Sequence, residues 1–151
     1  THDRSEALGL ADRVAVLGAM EEAHPATLLQ FDTPERVYGR PKTSTAARLT
    51  GALTLIEGVA AGAMAATAFG NVPLLDAAEG TVTVVIRPET ARFEPAADGP
   101  AVLVGRRYLG GRYCLTVRQS EVDAVVDWSL DEAPPLGSRG RLVVERPSAV
   151  V

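Results

Sequence analysis

With one cysteine, Cys114, in 151 residues, the chain has no internal disulfide, so its stability must come from packing. Cys114 lies in a strand-like run, residues 112–117 (RYCLTV), where it reads as a small buried apolar residue rather than a reactive thiol. A reducing compartment fits a lone thiol. Basic charge is also scarce: 15 Lys and Arg stand against 19 Asp and Glu, for a net charge of -4. The basic residues are scattered, with no stripe to displace counterions from a phosphate backbone, which argues against nucleic acid as a partner. Long apolar runs are missing as well. The stretch at residues 58–70 (GVAAGAMAATAFG) falls well short of the ~20 strongly apolar residues a spanning helix needs, and is expected to supply one or two strands. Nor does Thr1-His2-Asp3-Arg4 resemble a secretory leader, since it carries charge where a leader needs an apolar centre. The expectation is a cytoplasmic protein.

What the chain does contain is enough apolar material for a core. The apolar share is 46% and the charged share 23%, close to soluble globular averages, so wholesale disorder is not expected. The length suits one ordinary domain, or a small domain with a fragment of another. The first third mixes helix and strand. Residues 5–11 (SEALGLA) put Ala7, Leu8 and Ala11 at helical spacing, with Glu6 in the first turn where it favours the dipole. Residues 13–17 (RVAVL) and 27–31 (TLLQF) read as the strands of a hairpin. Asp32 or Thr33 is placed to cap a helix that has Pro34 in its first turn and runs to Tyr38, until Gly39 and Pro41 stop it. Residues 44–49 form another short helix, ending before Gly51.

Beyond Gly51 the pattern changes to short strands separated by glycine, proline and aspartate. The candidates are residues 53–57, 63–69, 81–87, 101–108, 112–118, 122–128 and 141–145, a spacing that predicts a small barrel or sandwich. Residues 81–87 (TVTVVIR) are the strongest, because β-branched side chains dominate and Arg87-Pro88-Glu89 closes the run with a turn. The expected core is Val84, Ile86, Leu103, Leu115, Val117 and Val143. Residues 133–137 (APPLG) read as a stiff loop between the last two strands.

Several motifs carry a resemblance. Thr1-His2-Asp3, Glu6-Ala7-Leu8 and residues 10–17 (LADRVAVL) closely resemble the switch-histidine segment of ABC-type ATPases. Leu29-Gln30, residues 32–35 (DTPE), Val37-Tyr38 and Arg40-Pro41 follow in the family's order and resemble the helix-turn that ends the nucleotide-binding domain of importer subunits. Residues 85–89 (VIRPE) and 108–110 (YLG) resemble motifs of the OB-like transport-associated accessory domain, of the TOBE type, found on importers of iron, polyamines, sugars and oxyanions. The resemblance implies a C-terminal remnant of an ABC ATPase domain at residues 1–50 and an OB-like accessory domain at residues 51–151. The implied fold is mainly β with a short α/β N-terminal segment, the β part an OB-like small barrel or sandwich of antiparallel strands.

The resemblance also implies roles. His2 is the candidate catalytic and nucleotide-binding residue, contacting the ATP γ-phosphate and orienting the attacking water, with Asp3 beside it at the interface of paired domains. Both roles require an intact ATPase holding ATP and magnesium. A phosphate-binding loop needs glycine-rich N–H groups ahead of a Lys-Ser/Thr pair. Residues 39–43 (GRPKT) only imitate it, since Pro41 removes an N–H, and the segment reads as the exit from a helix. The magnesium-holding Asp-Glu strand and the signature and glutamine loops are expected upstream of Thr1, so this chain alone is not expected to hydrolyse ATP and needs no cofactor.

One departure from the family lies in the first hairpin, where ten residues, 18–27, replace a tight turn and leave the register open. His24 with Glu21 and Glu22 imitates a metal site there but reads as a solvated turn, so no metal ligand is expected. The expected function is dimerisation or regulation of an importer's ATP-binding subunit, as a homodimer beside membrane permease subunits at the inner face of the membrane. The alternative is an oxyanion-sensing module, which residues 51–58 (GALTLIEG) only faintly resemble.

Overall fold

A computed structural model describes residues 1–19, 25–129 and 132–151. The N-terminal segment follows its sequence signals closely. Helix α1 (Arg4–Leu10) starts where the Asp3 carboxylate accepts the Glu6 N–H at 3.0 Å. Strands β1 (Val14–Gly18) and β2 (Thr27–Asp32) pair antiparallel with a bulge at Val16/Leu17, which settles the register that the long connection left open. Residues 20–24 of that connection, with Glu21, Glu22 and His24, lie outside the described residues.

Helix α2 (Pro34–Gly39) begins at Thr33, but neither expected cap acts on the helix. Thr33 makes no side-chain cap bond, and the Asp32 carboxylate instead accepts the Thr33 N–H at 2.9 Å. Pro34 leaves the first turn with one fewer unpaired N–H, and its fixed φ already suits the helix. Helix α3 (Ser44–Thr50) is capped by the Thr43 hydroxyl, which accepts the Ala46 N–H at 3.0 Å.

The β-rich remainder departs from expectation in one large respect. Residues 53–57 and 63–69 are not separate strands; residues 54–57 and 63–67 of them belong to one strand, β3 (Thr54–Thr67), which pairs with the still longer β4 (Gly70–Ile86). A straight strand would hold Gly58 and Ala66 roughly 26 Å apart. A Cβ placed on Gly58 would instead lie 2.9 Å from the Ala66 carbonyl oxygen, so β3 doubles back on itself. Gly62 (φ 65°) in β3 and Gly80 (φ 80°) in β4 supply the left-handed backbone for the bend, beside the register shift between Gly62 and Met64.

A 3-10 turn, Pro88–Thr90, leads into β5 (Ala91–Pro95), then β6 (Ala101–Tyr108), β7 (Tyr113–Gln119), β8 (Val122–Trp128), β9 (Arg139–Val144) and β10 (Ala149–Val150). Strands β5 and β10 were not expected. The sheets have the orders β1-β2, β10-β4-β3 and β5-β9-β6-β7-β8, and every ladder is antiparallel. The chain is thus mainly β, at 54% strand and 16% helix, consistent with an OB-like sandwich.

The three- and five-stranded sheets share one core that includes Ile56, Val72, Val84, Ile86, Phe93, Leu103, Leu115, Val117 and Val126. Val143 is not in it. Its neighbour Leu142 is buried instead, because β9 runs one residue out of phase with the expected inward face. A smaller cluster of Val16, Val37 and Ala46 holds β1 to α2 and α3, and Ala47 of α3 packs with Val85 and Ala149. Among the described residues no helix is long and apolar enough to cross a membrane.

Candidate functional site

The Thr1-His2-Asp3 segment forms the entry turn of α1. The Thr1 hydroxyl accepts the Asp3 N–H at 3.0 Å, and the Asp3 carboxylate is engaged at the helix N-terminus, where the dipole favours a negative charge. His2 is exposed and lines a cleft of about 430 Å³ with Ala7, Leu8, Val14, Leu17 and Leu49. Residues 39–43 leave a helix as expected. Buried Gln30 pins them, donating to the Arg40 carbonyl and accepting the Lys42 N–H, both at 3.0 Å, while Thr43 is occupied as a cap. Among the described residues no three His, Cys, Asp or Glu side chains gather as metal ligands.

The β1–β2 hairpin has two unlike faces. Val16 and Gln30 point inward as register partners, whereas Ala15 opposite Phe31 and Leu17 opposite Leu28 point outward. Leu17, Leu28 and Phe31 are 62%, 59% and 58% exposed, making an apolar face next to the His2 cleft.

A second feature was legible only in outline. Arg87, noted above for the turn after a strong strand, is buried and acts as a joint between the first third of the chain and the rest. Its guanidinium donates to the carbonyls of Ala47 (3.1 Å), Ala52 (3.3 Å) and Tyr38 (2.8 Å) and to the Thr50 hydroxyl (3.0 Å). It also stacks 4.0 Å from the centre of the Tyr38 ring. The Tyr38 hydroxyl in turn donates to the Glu89 carboxylate at 2.7 Å. Burial holds the Arg87 guanidinium below its ordinary value, with Arg4 adding to the effect and Tyr38 and Glu89 opposing it. Burial, then the bond to the Glu89 carboxylate, raises the Tyr38 phenol from 10.0 to about 12. Val37-Tyr38 and residues 85–89, two separate stretches of the resemblance, therefore meet at one side chain.

Cys114 is only half-buried, not a full core residue. It faces Arg107 on one neighbouring strand and Asp127 on the other, and Arg112 bonds to Asp127 at 2.8 Å. This polar row lines a cleft of about 490 Å³ together with Arg4, Tyr38 and Glu89, which is why Cys114 is not sealed off.

An antiparallel β-rich unit joined through a buried arginine to a switch-histidine-like segment defines a class: the C-terminal part of an ATP-binding subunit of an ABC importer. Comparison with known proteins bears this out. The chain is 37% identical over 122 residues to an Fe(3+) ions import ATP-binding protein of Streptomyces coelicolor, a match covering 80% of this chain and 33% of that relative. It is 38% identical over 115 residues to a sulfate/thiosulfate import ATP-binding protein of Xanthomonas campestris pv. campestris, covering 74% and 31%. It is 29% identical over 132 residues to a spermidine/putrescine import ATP-binding protein of Borrelia garinii subsp. bavariensis, covering 83% and 36%. No protein-family model matches. The chain spans about a third of the length of the curated relatives it matches. Its homologues are ABC importer ATP-binding subunits, and it corresponds to their C-terminal part.

Proposed function

We propose that the chain is the accessory and regulatory portion of a bacterial importer's ATP-binding subunit. Residues 1–50 are the end of the ATPase domain and residues 51–151 a TOBE-like, OB-like domain that serves dimerisation or regulation of transport. In the intact subunit His2 contacts the γ-phosphate of magnesium-bound ATP, and the subunit sits against membrane permease partners at the cytoplasmic face. The isolated chain does not hydrolyse ATP, since residues 39–43 are committed to leaving α2 and capping α3.

The observation that carries the proposal is the Arg87 joint. One buried guanidinium ties Tyr38, Ala47 and Thr50 to Ala52 and the end of β4, so a shift in the His2-bearing segment is felt in the β-rich part and the reverse. The relatives named above carry three different cargo names, which fits a portion that regulates rather than selects.

A chimera tests the reading. The remaining N-terminal part of the Streptomyces coelicolor relative, joined ahead of Thr1, should give magnesium-dependent ATP turnover. The His2→Ala variant of the chimera should lose about a hundredfold of it. Arg87→Met should alter turnover without abolishing it. Turnover indifferent to both substitutions would sink the proposal.

A further inference from the structure

Among the described residues two buried side-chain atoms have no hydrogen-bond partner, Arg87 Nε and Ser148 Oγ. Buried polar atoms of this kind are rare, and each calls for a partner. Both residues line one cavity of about 370 Å³ between α2, β4 and β10. The rest of its lining is mixed, with Gly39, Glu89 and Thr90 among it. Leu75, Val85, Pro147 and Ala149 are apolar and Tyr38 offers its ring, while Arg146 brings a second guanidinium.

Ser148 is held firmly. Its N–H donates to the Pro73 carbonyl at 2.8 Å and its own carbonyl accepts the Leu75 N–H at 2.9 Å, so the hydroxyl adjusts by turning about one bond. Glu89, the carboxylate on the lining, is already engaged by the Tyr38 hydroxyl at 2.7 Å. The lining therefore offers two arginines, one of which offsets the Glu89 charge, and a spare hydroxyl donor against an apolar wall.

We propose that this cavity is a binding site for a small organic carboxylate. The carboxylate takes the Ser148 hydroxyl and the Arg146 guanidinium, with the charge and spare N–H of Arg87 behind it, and the ligand's apolar body rests on Leu75, Val85 and Ala149. An inorganic tetrahedral oxyanion fits less well, because its remaining oxygens would face apolar walls without partners. Since Tyr38 and Arg87 also form the joint, an occupant stiffens the connection between the first third and the rest of the chain. The site goes beyond the transport reading and stands without it: binding is read on this chain alone, whereas the transport reading is tested by turnover in the chimera.

The experiment is calorimetric titration of the 151-residue chain with 3-methylbutanoate and benzoate, set against 3-methylbutanamide, sulfate and molybdate. The expected result is saturable one-site binding of at least one acid, weakened about tenfold or more when the amide replaces the acid. Arg146→Gln and Ser148→Ala should each cost a similar factor. Arg146 is exposed, so its variant should keep the wild-type denaturation midpoint, and Ser148→Ala removes a hydroxyl that has no partner to lose. No saturable binding of either acid, equal binding of the amide, tighter binding of sulfate or molybdate, or indifference to both substitutions would each overturn the proposal. So would a crystal structure grown with benzoate that held only ordered water between Ser148 and Arg87.

Discussion

Two of the antiparallel hairpins, β1–β2 and β3–β4, solve the same problem differently. The β1–β2 hairpin covers its inner face with α2 and α3 and leaves Leu17, Leu28 and Phe31 in the open. The β3–β4 hairpin bends at Gly62 and Gly80, folds over itself, and joins the five-stranded sheet around a common core. An isolated two-stranded ribbon is marginal in water because it has only one side to bury. The longer hairpin becomes its own second layer, while the shorter one needs a partner. This is the physical case for expecting association: a bare apolar face gains by being covered, whether by a second copy or by the remainder of an ATPase domain.

The two regions depend on each other most at the joint. Arg87→Met should cost about 3 kcal/mol, because the Tyr38 and Ala52 carbonyls lose the Arg87 donor while the Ala47 carbonyl and the Thr50 hydroxyl each lose one of their bonds. Hydrogen exchange should rise in residues 14–50 far more than in residues 113–126; equal rises would mean the two regions do not depend on Arg87 for their connection. Next comes Gly58→Ala, whose Cβ would press at 2.9 Å on the Ala66 carbonyl and the Thr67 methyl. A loss of about 2 kcal/mol in denaturant unfolding is expected, since backbone must move to make room. A neutral result would show that the doubled strand opens easily.

A smaller effect depends on pH. The Tyr38 phenol is raised from 10.0 to about 12, so the folded chain favours its neutral form. That contribution is present in full below the unfolded value and is lost as pH climbs through the folded one. The alkaline fall in stability should therefore have a component between pH 10.0 and about 12 that Tyr38→Phe removes, measured by denaturant midpoints across that window. Smallest in stability is Leu17→Gln with Leu28→Gln on the exposed face, expected to change unfolding by within about 0.5 kcal/mol. Its readout is assembly: light scattering at tens of micromolar should show the wild type as a dimer and the double variant shifted to monomer. An unshifted dimer would place the contact on the β-rich part.

The strands that were legible in the sequence are those whose side chains favour the pleat. Residues 101–108 and 122–128 match β6 and β8 end for end, and residues 81–86, rich in β-branched side chains, form the far end of β4. The near end of β4 was not legible, because Pro73, Asp76, Glu79 and Gly80 all disfavour a strand and the pairing with β3 overrides them. Strand β10 is two residues long and owes its existence to the edge of β4. At Val143 a slip of one residue exchanged the inner and outer faces of β9.

The candidate site divides in the same way. His2 announces itself through a linear motif, and the structure adds only its exposure and its cleft. Arg87 stands in the sequence only as part of a turn and of the 85–89 motif, because its partners Tyr38, Ala47, Thr50 and Ala52 lie well before it in the chain and no local pattern links them. The half-burial of Cys114 escaped for the same reason. Its strand neighbours Arg107 and Asp127 come from different strands, and only the ladder places them side by side.

The doubled β3–β4 hairpin also sorts its contacts by distance along the chain. Its tip, where Thr67 meets Gly70, closes a short loop and can form early. Its far end, where Leu55 meets Val85, closes a much longer loop, and Ala149 pairs with that same Val85 from further still along the chain. The three-stranded sheet is thus finished by contacts distant in sequence, which is the slow kind of closure. Until that happens β4 lacks its β10 neighbour and Ala47 lacks both Val85 and Ala149. The doubling that brings this hairpin into the shared core therefore leaves the docking of α3 to long-range closure, and a chain caught before it would carry an unfinished sheet edge into solution.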